Sequence, residues 1–90
     1  MMEFQAVYTK NALKSLKKIP KALSKRIIDK VKFYRLKEDP LKFAEKLTDS
    51  RFGEYRFRVG NYRIFFDIDR KKNLTILFIL DVKHRRESYR

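Results

Sequence analysis

A two-residue turn in the second half of the chain constrains the fold more strongly than any other feature. Gly60-Asn61 separates two segments in which apolar and charged residues alternate, and this arrangement is typical of a β-hairpin. If the turn has two residues, Arg58 lies directly across from Arg63, and Arg56 shares their face. Four apolar side chains then share the opposite face, namely Phe57, Val59, Tyr62 and Ile64. The turn therefore predicts one apolar face and one arginine face.

The first half of the chain predicts one strand and two helices. Residues 3–8 alternate and suit a strand, Thr9 can cap a helix, and Pro20 suits the first turn of a second helix. A second cap-and-proline signal, Asp39-Pro40, precedes a short segment before the hairpin. Apolar residues at helical spacings are predicted to face the core: Ala12, Leu13 and Leu16, then Leu23, Ile27, Val31 and Tyr34.

The order of the elements predicts the fold class. Strands at 55–59, 62–69 and 74–82 follow the helices, and the last of them is apolar at nearly every position. Such a strand is expected to be central and covered on both faces. The order is β-α-α-β-β-β within a single domain of residues 1–90. We expect an α+β fold in which a helical hairpin packs on a mainly antiparallel four-stranded sheet.

The charge of the chain limits its partners. There are 24 Lys and Arg against 11 Asp and Glu, a net charge of +13. Such an excess favours polyanions: RNA, DNA, an acidic protein or an anionic membrane. The apolar run at 74–80 is too short to span a membrane, which takes roughly 20 residues, and the sequence has no cysteine. We expect a cytoplasmic protein.

Lysines recur along the two predicted helices. They form either a solvated helix surface or a surface that contacts RNA phosphates without reading sequence. The candidates for RNA contact are Lys14, Lys18, Lys21 and Lys25.

The arginine face of the hairpin needs an explanation, because the like-charge pair Arg58–Arg63 costs up to about 1 kcal/mol. Two structural explanations are open: Asp67 and Asp69 share the parity of Arg63 and could neutralise it, or the register could slip at the turn. The functional explanation is a preformed clamp for phosphate, since guanidinium groups bind phosphate oxygens bidentately.

The basic tail adds candidate residues for chemistry. It contains His84, the only histidine, which is either a structural residue or a proton-transfer group. Tyr89 either fills an apolar edge or stacks on an unpaired base. The sequence contains no Ser-His-Asp arrangement, P-loop or cluster of metal ligands, so we expect phosphate chemistry that needs neither metal nor cofactor.

The hairpin YRFRVGNYR (55–63) and the ending VKHRRESY (82–89) resemble the RelE/ParE toxin superfamily, and the similarity covers essentially the whole chain. RelE-like members are mRNA interferases that cut messenger RNA in the ribosomal A site, whereas ParE-like members share the fold and poison DNA gyrase. The resemblance implies a toxin of a type II toxin-antitoxin system, with an acidic antitoxin, ribosome-bound mRNA and ribosomal RNA as partners.

The resemblance also implies roles for individual residues. In the RelE pattern, Arg56 and Arg58 fall on basic catalytic positions, and Arg63 falls on the phosphate-stabilising arginine. Arg85 falls on the proposed general acid, and Tyr89 falls on the tyrosine that stacks on a base. Retention of this full set favours the RelE-like branch.

One departure from the RelE pattern concerns the general base. The best-studied members have lysines at the positions of Arg56 and Arg58, and a guanidinium cannot lose its proton to act as a base. His84 and Lys83 are the remaining candidates, with His84 preferred because several related toxins use a histidine near this point. Lys83 and Arg86 are also expected to contact RNA.

The reaction implied by the resemblance uses the substrate's own nucleophile. The ribose 2′-hydroxyl attacks the adjacent phosphorus and the 5′-oxygen leaves, which gives a 2′,3′-cyclic phosphate and a 5′-hydroxyl end. DNA lacks this hydroxyl and would not be cut. Three other interpretations stay open: a gyrase-poisoning toxin, a non-catalytic RNA- or ribosome-binding module, and a role at a membrane surface. The last is the poorest, because the basic helix faces are backed by residues that the core needs.

Overall fold

Five strands and two α-helices make up the part of the chain described by this computed structural model, residues 2–49 and 51–87. In chain order they are β1 Glu3–Tyr8, α1 Lys10–Lys17, α2 Lys21–Arg35, β2 Ala44–Lys46, β3 Tyr55–Val59, β4 Tyr62–Arg70 and β5 Leu74–His84, with a 3-10 turn at Pro40–Phe43 before β2.

The strands form one sheet in the order β1-β5-β4-β3-β2. The pair β1 and β5 is parallel, and every other neighbouring pair is antiparallel. The predicted α+β fold, with helices on a mainly antiparallel sheet, is therefore confirmed. The strand count differs from the prediction of four, because the three-residue strand β2 adds an edge beside β3.

The helices begin where the sequence predicts. Thr9 caps α1, and its Oγ1 accepts a hydrogen bond of 3.2 Å from the backbone N–H of Ala12. Both helices bury a narrow stripe toward the sheet, and Leu13 and Leu23 lie outside it, 47% and 37% exposed. Their predicted place in the core is therefore wrong. Among the described residues, no helix is long and apolar enough to cross a membrane.

The two faces of the sheet differ in composition. We call the face under α1 and α2 the helix face, and its main core residues are Phe57, Val59, Ile64, Phe66, Leu77, Ile79 and Val82. We call the other the open face; it carries Arg56, Arg58, Arg63, Phe65 and Lys83. Strand β5 is interior, as predicted, but its open-face residues Ile76 and Phe78 remain partly exposed. The expectation that β5 is covered on both faces is therefore wrong.

A β-bulge interrupts the pairing of β4 with β5. Phe65 pairs with Asp81, whereas the next residue, Phe66, pairs with Ile79, so Leu80 is an extra residue in β5. Because side chains alternate between faces along a strand, one extra residue exchanges the two faces for everything that follows it.

The bulge decides where the end of β5 points. Val82 pairs with Ile64 and is buried on the helix face, and His84 pairs with Tyr62 on that same face. Lys83 points to the open face, where it pairs with Arg63. Without the extra residue, the positions of Lys83 and His84 would be exchanged.

Candidate functional site

Three cations lie side by side across the open face. The hairpin has the predicted register, with Arg58 opposite Arg63 and Val59 opposite Tyr62, so the alternative of a slipped register does not apply. On its other side, Arg63 pairs with Lys83 of β5. We call Arg58, Arg63 and Lys83 the cation row. Like charges on directly opposed positions destabilise a sheet unless anions offset them.

Arg63 is the central and most buried member of the row, at 6% exposed. Its Nη1 donates to the carbonyl oxygens of Gly60 and Tyr62, each at 3.1 Å. Its Nε is buried without a hydrogen-bond partner among the described residues. A buried, incompletely paired guanidinium is costly. A buried polar atom without a hydrogen bond needs an explanation, and a binding site for an anion is one such explanation.

Glu45 of β2 is the acidic partner that sequence reasoning missed. Its Oε1 lies 2.5 Å from Nε of Arg58, and its Oε2 lies 3.3 Å from Nη2 of Arg56. Burial raises the pKa of the Glu45 carboxyl, but the hydrogen bonds and charges of Arg56 and Arg58 together outweigh it, so the pKa is lowered overall. Glu45 therefore remains ionised between the two guanidiniums.

The alternative that Asp67 and Asp69 partly neutralise the arginine face does not apply. Asp67 Oδ1 accepts from the backbone N–H of Glu54 at 2.9 Å, and Asp69 forms an ion pair of 3.4 Å with Lys71. Glu45 neutralises the arginine face instead. Its strand was hard to foresee because three residues are too few to display an alternating pattern.

An aromatic pair adjoins the cation row. The Phe52 ring stacks on Phe65 at 5.0 Å between centroids, and Lys83 Nζ lies 6.0 Å from the centre of the Phe52 ring. Lys83 also forms an ion pair of 3.6 Å with Asp81. Phe52 was not among the predicted site residues, although a partly exposed aromatic beside cations suits a stacked base.

His84 lies apart from the cation row, on the helix face. Its ring meets the Tyr62 ring edge to face at 5.4 Å, and its Nδ1 accepts a hydrogen bond of 3.3 Å from the backbone N–H of Arg86. With Nδ1 as acceptor, the neutral ring carries its proton on Nε2. The predicted grouping of His84 with the arginines is therefore not found, because the bulge turns it away.

The remaining predicted residues divide between two regions. The backbone N–H of Arg85 donates to the carbonyl of Asn61 at 2.7 Å, which brings Arg85 to the hairpin turn, and Arg86 follows as an exposed residue. Tyr89 lies outside the described residues. The predicted RNA-contacting lysines of the helical region are all exposed: Lys14, Lys18, Lys21 and Lys25. The helices cover the other face of the sheet, so these lysines do not join the cation row. Within residues 2–49 and 51–87, no group of three or more His, Cys, Asp or Glu could hold a metal ion.

Sequence comparison relates the chain to toxins. The profile of the family described as "ParE toxin of type II toxin-antitoxin system, parDE" matches residues 6–89. The chain is also 29% identical over 89 residues to a Mycobacterium tuberculosis protein named Toxin RelG, and the match covers 99% of both chains.

Structure comparison gives the same picture. The toxin-antitoxin complex RelBE2 from Mycobacterium tuberculosis contains a chain that matches with a TM-score of 0.72 at 25% identity, covering 93% of this chain and 100% of that one. The RelB-RelE antitoxin-toxin complex from Methanococcus jannaschii contains one that matches with a TM-score of 0.57 at 31% identity, covering 92% and 94%. The similarity extends over the sheet and both helices.

Proposed function

Because this chain belongs to the ParE toxin family of type II toxin-antitoxin systems, within the RelE/ParE superfamily, we propose that it is an endoribonuclease toxin that cleaves mRNA in the ribosomal A site. The observation that carries this proposal is the cation row, in which the buried Arg63 lies between Arg58 and Lys83. Three cations fixed on adjacent strands suit a single phosphate at which negative charge increases during reaction.

In the proposed reaction, the 2′-hydroxyl attacks phosphorus and the 5′-oxygen leaves. Arg58 and Arg63 would bind the non-bridging oxygens, where charge develops in the transition state. Arg85, held at the hairpin turn, would stabilise the leaving oxygen, which takes a proton from solvent water to give the 5′-hydroxyl end. Of the two candidates for proton acceptor, Lys83 shares the open face with the arginines and His84 does not. We therefore assign this role to the neutral amine form of Lys83, which becomes the third cation of the row when it takes the proton of the 2′-hydroxyl.

Stacking would hold the reacting nucleotide in line for attack. Tyr89 remains the proposed stacking residue of the tail, and Phe52 adds a second aromatic within 6.0 Å of Lys83 Nζ. Base stacking is tolerant of sequence and immobilises a splayed nucleotide. The ribosome would supply the remaining orientation of the substrate.

We also propose that an acidic antitoxin inhibits this protein in the cytoplasm. Two of its structural relatives are chains of toxin-antitoxin complexes. The net charge of +13 supports an acidic partner on independent grounds, because complementary charge accelerates association and excludes wrong partners.

The proposal is tested by mapping 5′ ends on a labelled mRNA in a reconstituted translation mixture, with parallel reactions that lack ribosomes. We expect cuts within the A-site codon only when ribosomes are present. Arg63→Ala should lower cleavage by at least about 100-fold, because it removes the central charge-stabilising donor. Arg70→Ala, an exposed arginine at the far end of the same strand, is the matched control and should cleave normally.

Two results would overturn the assignment. Intact mRNA in every reaction with folded wild-type protein would exclude the interferase function, and near-full cleavage by Arg63→Ala would exclude the cation row as its site. Circular dichroism of the variant verifies that it is folded.

A gyrase-poisoning toxin is the second candidate, favoured by the family description as a ParE toxin and by the separation of His84 from the arginines. Incubation with DNA gyrase and supercoiled plasmid discriminates between them. Double-strand breaks together with intact mRNA would identify this function. RNA binding with neither kind of cleavage would indicate a non-catalytic module.

A further inference from the structure

We propose that Glu45 occupies, in the free protein, the position that a substrate phosphate takes on Arg56 and Arg58, so that substrate must displace this carboxylate to bind. The inference deepens the proposed function, because it names a residue that regulates access to the same site. The Glu45 carboxylate and a substrate phosphate would compete for the same two guanidiniums.

The geometry of Glu45 resembles that of a bound phosphate. Its two oxygens contact different arginines, at 2.5 Å from Arg58 and 3.3 Å from Arg56. A non-bridging pair of phosphate oxygens can make the same two contacts, since carboxylate and phosphate are both recognised by the guanidinium fork. The carboxylate and a phosphate cannot occupy this position together.

The carboxylate is placed where it can leave. Glu45 is 45% exposed and lies on β2, a three-residue strand at the edge of the sheet. A rotation of its side chain into solvent needs no change in the sheet, because the backbone pairing of Glu45 with Arg56 is independent of the side chain. Displacement therefore costs the two ion pairs and little else.

Arg63 is arranged differently from Arg56 and Arg58 in its carboxylate contacts. Among the described residues it has no carboxylate partner, and its Nε is buried without a hydrogen bond. Because Arg63 is buried, a phosphate contacts the more exposed Arg58 first, exchanges with Glu45 there, and then lies beside Arg63. A single weak anion gains too little from this exchange, whereas an RNA backbone supplies the additional contacts that make it favourable.

The size of the competition follows from the exposure of the pair. An exposed ion pair shifts an equilibrium by about two- to fivefold, so two contacts made by one carboxylate predict about a tenfold weakening of RNA binding. Glu45→Gln keeps the shape of the side chain and removes the charge that competes. The variant should therefore bind RNA about tenfold more tightly than the wild type.

The experiment measures binding of a fluorescent 2′-O-methyl RNA oligonucleotide by anisotropy at constant salt; this RNA lacks the attacking hydroxyl and cannot be cleaved. Glu38→Gln, an exposed glutamate between α2 and the 3-10 turn, makes the same change in net charge and should alter affinity by less than about twofold. When the chain also carries Arg58→Gln, the increase in RNA affinity caused by Glu45→Gln should fall to less than half, because one of the two arginine contacts for which carboxylate and phosphate compete is gone. Urea unfolding verifies that each variant is folded.

Equal affinities for Glu45→Gln and Glu38→Gln would overturn the proposal, because the tightening would then be a general effect of charge. Weaker binding by Glu45→Gln would also overturn it, and would show that Glu45 holds the arginines in place for substrate. The assay does not involve cleavage. Tightening by Glu45→Gln without mRNA cleavage by the wild type would leave this inference standing and refute the interferase function.

Discussion

The glycine in the loop before β3 and the glycine in the hairpin turn provide a test of close packing. Gly53 is buried with φ of 134°, and a Cβ at this position would lie 3.0 Å from Leu80 Cδ1 and 3.2 Å from the carbonyl oxygen of Phe66. Gly60 in the hairpin turn has φ of 58°, and a Cβ there would meet no atom within 4 Å. Both positions strain an L-residue, but only Gly53 is also crowded.

The expected decreases in the free energy of unfolding follow from this difference. A left-handed backbone costs a non-glycine residue about 1–2 kcal/mol, and the lower entropy of the unfolded alanine chain returns about 0.4–1 kcal/mol. Gly60→Ala should therefore destabilise the protein by about 1 kcal/mol. Gly53→Ala carries a backbone cost of about 1–3 kcal/mol, because φ of 134° lies in a region that is essentially restricted to glycine. Overpacking adds about 1–3 kcal/mol, for a total of about 3 kcal/mol.

The assay is urea unfolding followed by circular dichroism, with the two variants compared at equal protein concentration. The slope m should be unchanged, so the difference appears in the midpoint. Since 1 kcal/mol corresponds to about 4–8 °C in a domain of 60–100 residues, Gly53→Ala should also melt about 12–24 °C below the wild type. A Gly53→Ala loss no larger than that of Gly60→Ala would refute the reasoning from crowding.

Two further predictions concern the amino-terminal strand and its helix. Thr9→Ala should lower the free energy of unfolding in urea by about 1–2 kcal/mol, because Oγ1 caps α1 and also donates to the carbonyl of Ile79 at 3.0 Å. Thr9→Ser keeps the hydroxyl and should keep most of this stability. Equal losses in the two variants would contradict the capping role. Burial raises the pKa of Tyr8 to about 12, although the charge of Arg35 acts in the opposite direction. The pKa of Tyr8 in the unfolded chain is near 10, so the folded state holds the phenol proton more tightly than the unfolded state does. The free energy of unfolding therefore keeps its full Tyr8 contribution below pH 10 and loses it as the pH rises toward 12. Tyr8→Phe should lose less stability than the wild type between pH 9 and pH 11, and equal losses would refute the assignment.

Much of the fold could be predicted because the hairpin is locally determined. A two-residue turn and strict alternation leave one register, and the pairing of Arg58 with Arg63 follows from counting outward. Strand β2 has no such local determinant. Its three residues pair with β3 only because the chain returns to that edge, so the contact of Glu45 with the arginines is a property of tertiary structure.

The candidate site was predictable only up to the bulge. The run 74–80 is apolar at nearly every position, so neither face of β5 is marked in the sequence, and nothing identifies Leu80 as the extra residue. Counting without the bulge places His84 with the arginines and Lys83 with the core. The structure reverses both, because pairing with β4 is shifted between Phe65 and Phe66.

The parallel pairing of β1 with β5 also determines when the protein can fold during its own synthesis. β1 is an edge strand whose neighbour is β5, so the amino-terminal strand has no hydrogen-bonding partner until β5 has left the ribosome. Long-range contacts of this kind form late. The same strand supplies Lys83 to the cation row. A nascent chain therefore completes its sheet and its cation row in one late step.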